Sequence, residues 1–221
     1  MEEYILVNED DIVLNFINRS NDDGKSNVVI YQQNAAQNYG ENPVAWKVIE
    51  NCGAGHNHVF TYSRILEIAI SDYFHNRTSF IEAQLGCLYE IVKGNFGDEL
   101  KASNKPASVP FALEIYNKQR NGVYNANCYR NGRLIASKID LFPGEMATFE
   151  FNPSICIGIV SQIEEGDEMD VSTLALLDTE LSFRHIESAD IVMTGGGIGE
   201  DAKPFQFSLE NVQWKKVNSL Q

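Results

Sequence analysis

The sequence predicts an all-β fold: an antiparallel two-sheet β-sandwich of about ten strands with one short capping helix. Apolar and polar residues alternate along most of the chain, runs of β-branched and aromatic residues have strand length, and Asn-Gly and Pro-Gly pairs separate several of them. A length of 221 residues suits one domain, because all-β domains of this size are ordinarily single units. We therefore expect one β-sandwich domain over residues 1–221.

Alternation of period two recurs from one end of the chain to the other. It predicts five strands that each place three apolar residues on one face: Ile12, Leu14 and Phe16; Leu66, Ile68 and Ile70; Phe111, Leu113 and Ile115; Ala147, Phe149 and Phe151; and Phe205, Phe207 and Leu209. Between them lie five β-branched or aromatic runs: "SNVVIYQQ", "GCLYEIV", "SICIGIVS", "TELSFRHIE" and "ADIVMT". Together these segments give the predicted strands.

Three glycine-containing pairs predict tight turns. The Asn-Gly pairs at 121–122 and 131–132 suit type I′ hairpin turns, because both residue types reach positive φ easily. They flank a segment of strand length, so residues 111–138 are predicted to form a three-stranded meander. The Pro-Gly pair at 143–144 fits a type II turn that leads into the next strand. Such short links join only antiparallel strands.

The segment "GENPVAWKVIENCGAG" predicts the one helix, over residues 43–51. Asn42 can cap it, Pro43 suits the first helical position, and Gly53 ends it. Apolar residues follow at a spacing of four. We expect its apolar side, including Trp46, to close one end of the sheets.

The charge balance argues against a nucleic-acid partner. Asp and Glu total 31 and Lys and Arg total 17, giving a net charge of −14 that repels phosphate backbones and anionic lipid heads. The opening residues lack the basic and apolar regions of a secretory signal, and no window has the roughly 20 apolar residues of a membrane helix. We expect a cytoplasmic protein without a membrane span, with export by a signal-independent route as the alternative.

The glycine run in "ADIVMTGGGIGED" invites comparison with a nucleotide-binding loop. A dinucleotide fingerprint needs a helix that opens at the glycines and then a second parallel strand. Here Pro204 and an alternating strand follow almost at once, no Lys-Ser or Lys-Thr pair follows the glycines, and Glu200 and Asp201 would repel a phosphate. We interpret the run as a flexible hairpin loop between the last two strands.

Soft metal ligands cluster only at Cys52, His56 and His58. No partner motif follows them, so we interpret them as loop residues, with a metal site as the alternative. The acidic segments 8–11 and 164–170, with 21–24, do not match a calcium-binding loop, and we interpret them as solvated turns, with weak surface calcium binding as the alternative.

The cysteines show neither a zinc ribbon nor a redox motif. Cys52, Cys87, Cys128 and Cys156 are widely spaced and form no C-x-x-C pair. We expect free thiols, with two disulfides as the alternative that an even count allows. No catalytic nucleophile stands in a recognisable local motif, so no catalytic, cofactor-binding or metal-binding residue is predicted.

Several stretches together resemble a known family: "NVVIYQQN", "VAWKVIENC", "HVFTYS", "TFEFNP", "GDEMD", "ELSF" and "DIVMT". Their order and spacing are similar to those of the bacterial rhizosphere-expressed RhiA-like proteins, and Tyr31-Gln32 and Ala45-Trp46 carry the match best. Segment 71–110 departs from the family pattern. The resemblance implies a strand that ends in Tyr-Gln, a short Ala-Trp helix, and a small bacterial protein made abundantly, with no established reaction or cofactor.

We therefore expect a non-enzymatic, abundant, acidic bacterial protein that is structural or self-assembling through protein–protein contacts, as a homo-oligomer. The alternative is a glycan-binding, lectin-like module or a membrane-active one, because β-sandwiches often carry such sites in their loops. That alternative requires exposed aromatic rings, and the candidates are Trp46, Trp214, Tyr124 and Tyr129. For Trp46 we expect core packing instead.

Overall fold

A computed structural model describes residues 11–21, 26–36, 41–95, 97–177 and 179–215. Over these residues the chain forms seventeen strands: β1 (Ile12–Asn18), β2 (Asn27–Tyr31), β3 (Glu41–Pro43), β4 (Lys47–Ile49), β5 (Asn57–Tyr62), β6 (Leu66–Ser71), β7 (Ile81–Ala83), β8 (Cys87–Lys93), β9 (Asp98–Pro106), β10 (Leu113–Asn117), β11 (Tyr124–Arg130), β12 (Arg133–Leu141), β13 (Met146–Phe149), β14 (Ser154–Val160), β15 (Thr179–Ser182), β16 (Ile186–Gly196) and β17 (Lys203–Trp214). The helices in the same residues are α1 (Val171–Leu174) and a 3₁₀ helix (Gly199–Asp201). The prediction of an all-β protein is confirmed.

The described strands form four hydrogen-bonded sheets, so two sheets with about ten strands are not confirmed. The strand orders are β17-β16-β1-β5, β13-β10-β8-β9, β3-β12-β11-β6-β7 and β15-β14-β2-β4. Neighbours are antiparallel except for two parallel pairs, β1 with β16 and β8 with β10. Parallel neighbours need a long connection, and neither of these pairs is joined by a tight turn.

The core forms where the predicted alternation places apolar residues on one face. Ile12, Leu14 and Phe16 of β1 are fully buried in one large cluster, and the corresponding set in β6 is buried in it too, which confirms both predictions. The sets in β13 and β17 lie in or against the same cluster. The prediction is wrong at Phe111, which precedes β10, has its ring exposed and adopts a φ of 70°.

The two Asn-Gly pairs have different outcomes. Asn131 and Gly132 have φ values of 53° and 70°, and Arg130 pairs with Arg133 across them, so this hairpin is confirmed. The pair at 121–122 does not join neighbouring strands, because β10 pairs with β8 and β13 while β11 pairs with β6 and β12. The predicted three-stranded meander over 111–138 is therefore wrong in its first half.

Buried Asn117 fixes the crossover that replaces the first hairpin. Its Nδ2 donates to the carbonyl oxygens of Gly122, at 3.1 Å, and Leu141, at 2.9 Å, while its Oδ1 accepts from the N–H of Gln119. One side chain thus satisfies three backbone groups where the chain leaves one sheet for another.

The predicted helix over residues 43–51 is wrong, because this segment is extended and supplies β3 and β4. Trp46 and Ile49 are buried in the large core cluster, whereas Ala45 and Val48 pack in or against a second, smaller one. The segment therefore lies between two apolar clusters. An extended chain sends successive side chains to opposite sides and can fill both, whereas the predicted helix would offer one apolar face.

The Pro-Gly turn is confirmed. Gly144 has a φ of 84°, the N–H of Glu145 donates to the carbonyl of Phe142 at 3.0 Å, and β13 follows directly. Among the described residues, no helix has both the length and the apolar character needed to cross a membrane.

Candidate functional site

The glycine run closes an antiparallel hairpin between β16 and β17, as the sequence predicts. A Cβ at Gly195 would overlap the backbone carbonyl of Pro204, and this glycine has a φ of 88°. The two strands therefore approach too closely for any other residue here. The run is followed by one three-residue 3₁₀ helix, which presents no helix N-terminus of the kind that binds a pyrophosphate.

Cys52 and His56 lie in a tight turn that Asn18 holds by hydrogen bonds, and His58 follows in β5. Asn18 Nδ2 donates to the carbonyl of Cys52 at 2.6 Å, and the N–H of Gly55 donates to the carbonyl of Asn18 at 2.6 Å. Desolvation, together with the positive charges of nearby basic residues, lowers the pKa of His58. Within the described ranges no three His, Cys, Asp or Glu side chains are grouped to hold a metal ion.

The acidic segment 164–170 forms structural contacts. Asp167 accepts the N–H of Glu164 at 2.8 Å, and Asp170 accepts the N–H of Thr173 at 2.7 Å at the start of α1. Glu165 accepts a hydrogen bond from Arg133 at 2.8 Å. The other two acidic predictions fall mainly on residues 8–10 and 22–24, which lie outside the described residues.

Gln32 and Trp46 converge on Arg130, which is only 3% exposed. Arg130 Nε donates to Gln32 Oε1 at 2.7 Å, a terminal nitrogen donates to the carbonyl of Ser63, and the guanidinium lies 4.2 Å from the Tyr62 ring centroid. Gln32 donates to the Tyr62 hydroxyl, and the Trp46 indole donates to the Arg130 carbonyl. Because every group faces another protein group, we interpret this cluster as part of the interior that joins the sheets.

The aromatic candidates for ligand binding are mostly buried. Trp46 packs edge-on against Phe60 and Tyr62, while Tyr124 and Tyr129 are also buried. Only Trp214, which is 63% exposed at the end of β17, leaves most of its ring in solvent. The prediction that Tyr124 and Tyr129 are exposed rings is therefore wrong.

Sequence reasoning missed the most exposed aromatic pair among the described residues, Tyr73 and Phe74. Their side chains are 87% and 78% exposed, and the rings meet edge to face at 5.6 Å. Asp72 holds their loop: its Oδ1 accepts the N–H groups of Phe74 and Asn76, and its Oδ2 accepts Asn76 Nδ2. The signal in the sequence is the adjacent pair "YF", which interrupts the alternation between an Asp and an Asn.

A cleft begins beside this loop. One pocket of about 250 Å³ is lined by Ile70, Ser71, Asp72, Asn76, Arg77, Thr78, Asp98 and Tyr124. An adjoining pocket of about 300 Å³ shares Thr78 and Asp98 and continues past Ser79 towards β9. The cleft thus separates the β6–β7 edge of one sheet from β9 of another.

Fixed polar and aromatic groups line this cleft. Asp98 accepts the Tyr124 hydroxyl at 2.8 Å, and burial together with this bond raises the Tyr124 pKa to about 12, so the hydroxyl remains protonated. The Arg77 guanidinium lies 4.0 Å from the Phe80 ring centroid, and Phe80 meets Tyr129 edge to face at 4.7 Å. The cleft therefore combines carboxylates, amide and hydroxyl groups with a guanidinium stacked on an aromatic ring.

A second candidate surface is the outer edge of β17. This twelve-residue strand pairs with β16 on one side, and in the described part of the chain no strand neighbours it on the other. Phe205, Phe207 and Leu209 pack against the core, while Gln206 and Ser208 between them are exposed.

No protein-family model, curated protein or solved structure matches this chain.

Proposed function

We propose that this chain is a non-catalytic structural protein that self-associates, with β17 of one copy pairing with β17 of a second. The observation that carries the proposal is the length of this edge strand. An unpaired edge presents a row of backbone N–H and C=O groups that can hydrogen-bond another strand, and proteins usually shorten or block such edges.

The central part of β17 carries few features that would block pairing. From Gln206 to Glu210 its register with β16 is continuous, and the irregular pairings lie outside this stretch. Lys203 and Glu210 are the only ionisable residues in the strand. By contrast, β9 is also an edge strand but carries two lysines, an aspartate and a glutamate. Charged edges of this kind discourage strand addition.

A second copy of the same strand suits this edge better than an unrelated acidic protein. An antiparallel arrangement centred near Phe207 brings the Lys203 end of each strand beside the Glu210 end of the other, so the opposite charges lie close together. A two-fold pairing of this kind is isologous, which is the commonest way that identical chains associate. It would extend one four-stranded sheet across the dimer axis.

We further propose that the four sheets stack as facing layers of a sandwich. Residues of the β17 sheet share one apolar cluster with Ile155 and Leu181 of the β15-β14-β2-β4 sheet, which supports this arrangement.

We also propose a reducing, cytoplasmic location. The four cysteines are all free thiols, as expected of proteins in reducing compartments.

Sedimentation velocity over a range of protein concentrations tests the self-association. We expect a concentration-dependent dimer or larger species for the full chain. The double variant Gln206→Lys, Ser208→Lys changes two exposed side chains of β17 and should leave a monomer, because the added lysines repel across the two-fold axis.

The matched control is Ala102→Lys, Asn104→Lys, which adds the same charge to two exposed positions of β9. It should associate as the unmodified chain does. A chain that remains monomeric at all concentrations overturns the proposal, and so does a β17 variant that associates as strongly as the control.

A further inference from the structure

We propose that the cleft beside the Asp72 loop binds a neutral oligosaccharide, with aromatic contacts from Tyr73 and Phe74, which lie in the chain between the lining residues Asp72 and Asn76. This inference concerns a different face from the β17 edge and does not depend on self-association. The juxtaposition that carries it is an exposed aromatic pair, held by a rigid turn, next to a cleft lined by hydrogen-bonding side chains.

The exposed rings are held in place by their loop. Asp72 accepts three hydrogen bonds from residues of the turn, which fixes the backbone on both sides of Tyr73 and Phe74. Hydrogen bonding to Asn76 lowers the pKa of Asp72, so the carboxylate that forms these bonds is present at neutral pH. A preorganised turn loses little conformational entropy when a ligand binds. Apolar rings in water are then available for the C–H faces of a sugar.

The cleft supplies the hydrogen-bonding groups that a sugar hydroxyl needs. Thr78 and Ser71 provide hydroxyls, and Asn76 provides an amide carbonyl. Asp98 Oδ2 accepts from Tyr124 and retains capacity for a further donor, because each carboxylate oxygen has two lone pairs. Hydroxyl groups act as both donor and acceptor, so this mixed lining suits a polyol better than an apolar peptide or lipid chain.

The charge around the cleft favours a neutral ligand. Three carboxylates, those of Asp72, Asp98 and Glu99, line the cleft. They are partly balanced by Arg77 in the lining, by the Lys93 ammonium at 3.0 Å from Asp98 and by the Lys101 ammonium at 2.9 Å from Glu99. The chain as a whole carries a net charge of −14, which repels sulfated or uronic-acid sugars at long range. The two pockets share Thr78 and Asp98 in their lining, so we infer that the cleft holds more than one sugar ring.

Binding is tested by titrating the full chain with cellohexaose, maltohexaose and chitohexaose, with a heparin-derived oligosaccharide as the anionic comparison. We expect isothermal titration calorimetry to show binding of at least one neutral oligosaccharide. The double variant Tyr73→Ala, Phe74→Ala should weaken that binding by about tenfold or more, since it removes both exposed rings. Its thermal unfolding midpoint should stay close to that of the unmodified chain, because neither ring is buried.

Phe142→Ala is the matched control, because it also removes an exposed aromatic ring, and Phe142 lies in the Pro-Gly turn instead of the Asp72 loop. It should bind as tightly as the unmodified chain. The proposal is overturned if none of the three neutral oligosaccharides binds, if only the anionic one binds, or if the loop variant binds as tightly as the Phe142 control.

Discussion

The buried cluster around Arg130 and the exposed loop of Asp72 use hydrogen bonds for different ends. In the cluster, polar groups from distant segments satisfy one another, and no buried side-chain nitrogen or oxygen in the described residues lacks a partner. In the loop, the Asp72 carboxylate accepts hydrogen bonds from its own turn, and the Tyr73 and Phe74 rings remain in water. The buried Arg130 network therefore stabilises the fold, whereas the Asp72 hydrogen bonds order a surface loop and add nothing to the core.

The largest expected effect comes from breaking the buried cluster. Arg130→Met should lower the free energy of unfolding by about 3 kcal/mol or more, because the Gln32 amide and the Ser63 carbonyl lose a buried donor. Urea denaturation followed by fluorescence measures this change.

Arg133→Met provides the comparison for this prediction, because Arg133 makes an exposed ion pair with Glu165 at 2.8 Å. Its effect should stay within about 1 kcal/mol. Equal effects of the two substitutions would contradict the assignment of Arg130 to the stabilising interior.

Substitutions in the glycine run should have an intermediate effect on the free energy of unfolding. Gly195→Ala should cost about 2 kcal/mol or more, since the new Cβ would overlap the Pro204 carbonyl and φ is 88°. Gly199→Ala should cost about 1 kcal/mol, because its φ of 68° is unfavourable but the space around it is open. Thermal denaturation of the two variants checks the order, and a milder effect at Gly195 than at Gly199 would contradict it.

The smallest expected effect is a pH dependence at the Asp72 loop. The pKa of Asp72 is lowered below its ordinary value of 3.8, chiefly by the hydrogen bond from Asn76. A carboxyl whose pKa is lower in the folded state than in the unfolded chain stabilises the folded state at pH values above the unfolded pKa. This contribution is lost as the pH falls through the folded pKa. An NMR titration should therefore place the Asp72 midpoint below 3.8, with faster exchange of the Phe74 and Asn76 amides once it protonates. A midpoint at or above 3.8 would count against the rigid turn.

Local patterns predicted part of this protein correctly. The faces of β1 and β6, the Asn131-Gly132 hairpin, the Pro143-Gly144 turn and the final hairpin all follow from alternation or from a need for positive φ. The prediction fails for the helix over residues 43–51, where a spacing of four coincides with a segment that two clusters bury from opposite sides. Periodicity within a single segment carries no information about a second apolar surface.

The candidate site was less accessible to sequence reasoning. The aromatic pair of the Asp72 loop is visible as a break in the alternation, but its neighbours in the cleft come from elsewhere in the chain. Asp98 begins β9 and Tyr124 begins β11, and nothing in their local sequence indicates that they meet. The choice of exposed rings was also wrong, because Tyr124 and Tyr129 both lie in β11, where nearly every residue is buried. The local sequence does not show that both faces of this strand are covered.

By itself the sequence determined that the backbone is extended and where it reverses tightly, since side-chain alternation and the glycine requirement at positive φ act over a few residues. Only the tertiary structure decided which strands pair, so that β10 leaves the predicted meander for β8. It also decided that Gln32, Ser63 and Arg130 converge. These outcomes depend on apolar faces and hydrogen-bonding groups far apart in the chain, and burial selects the partners only when all the sheets are in place.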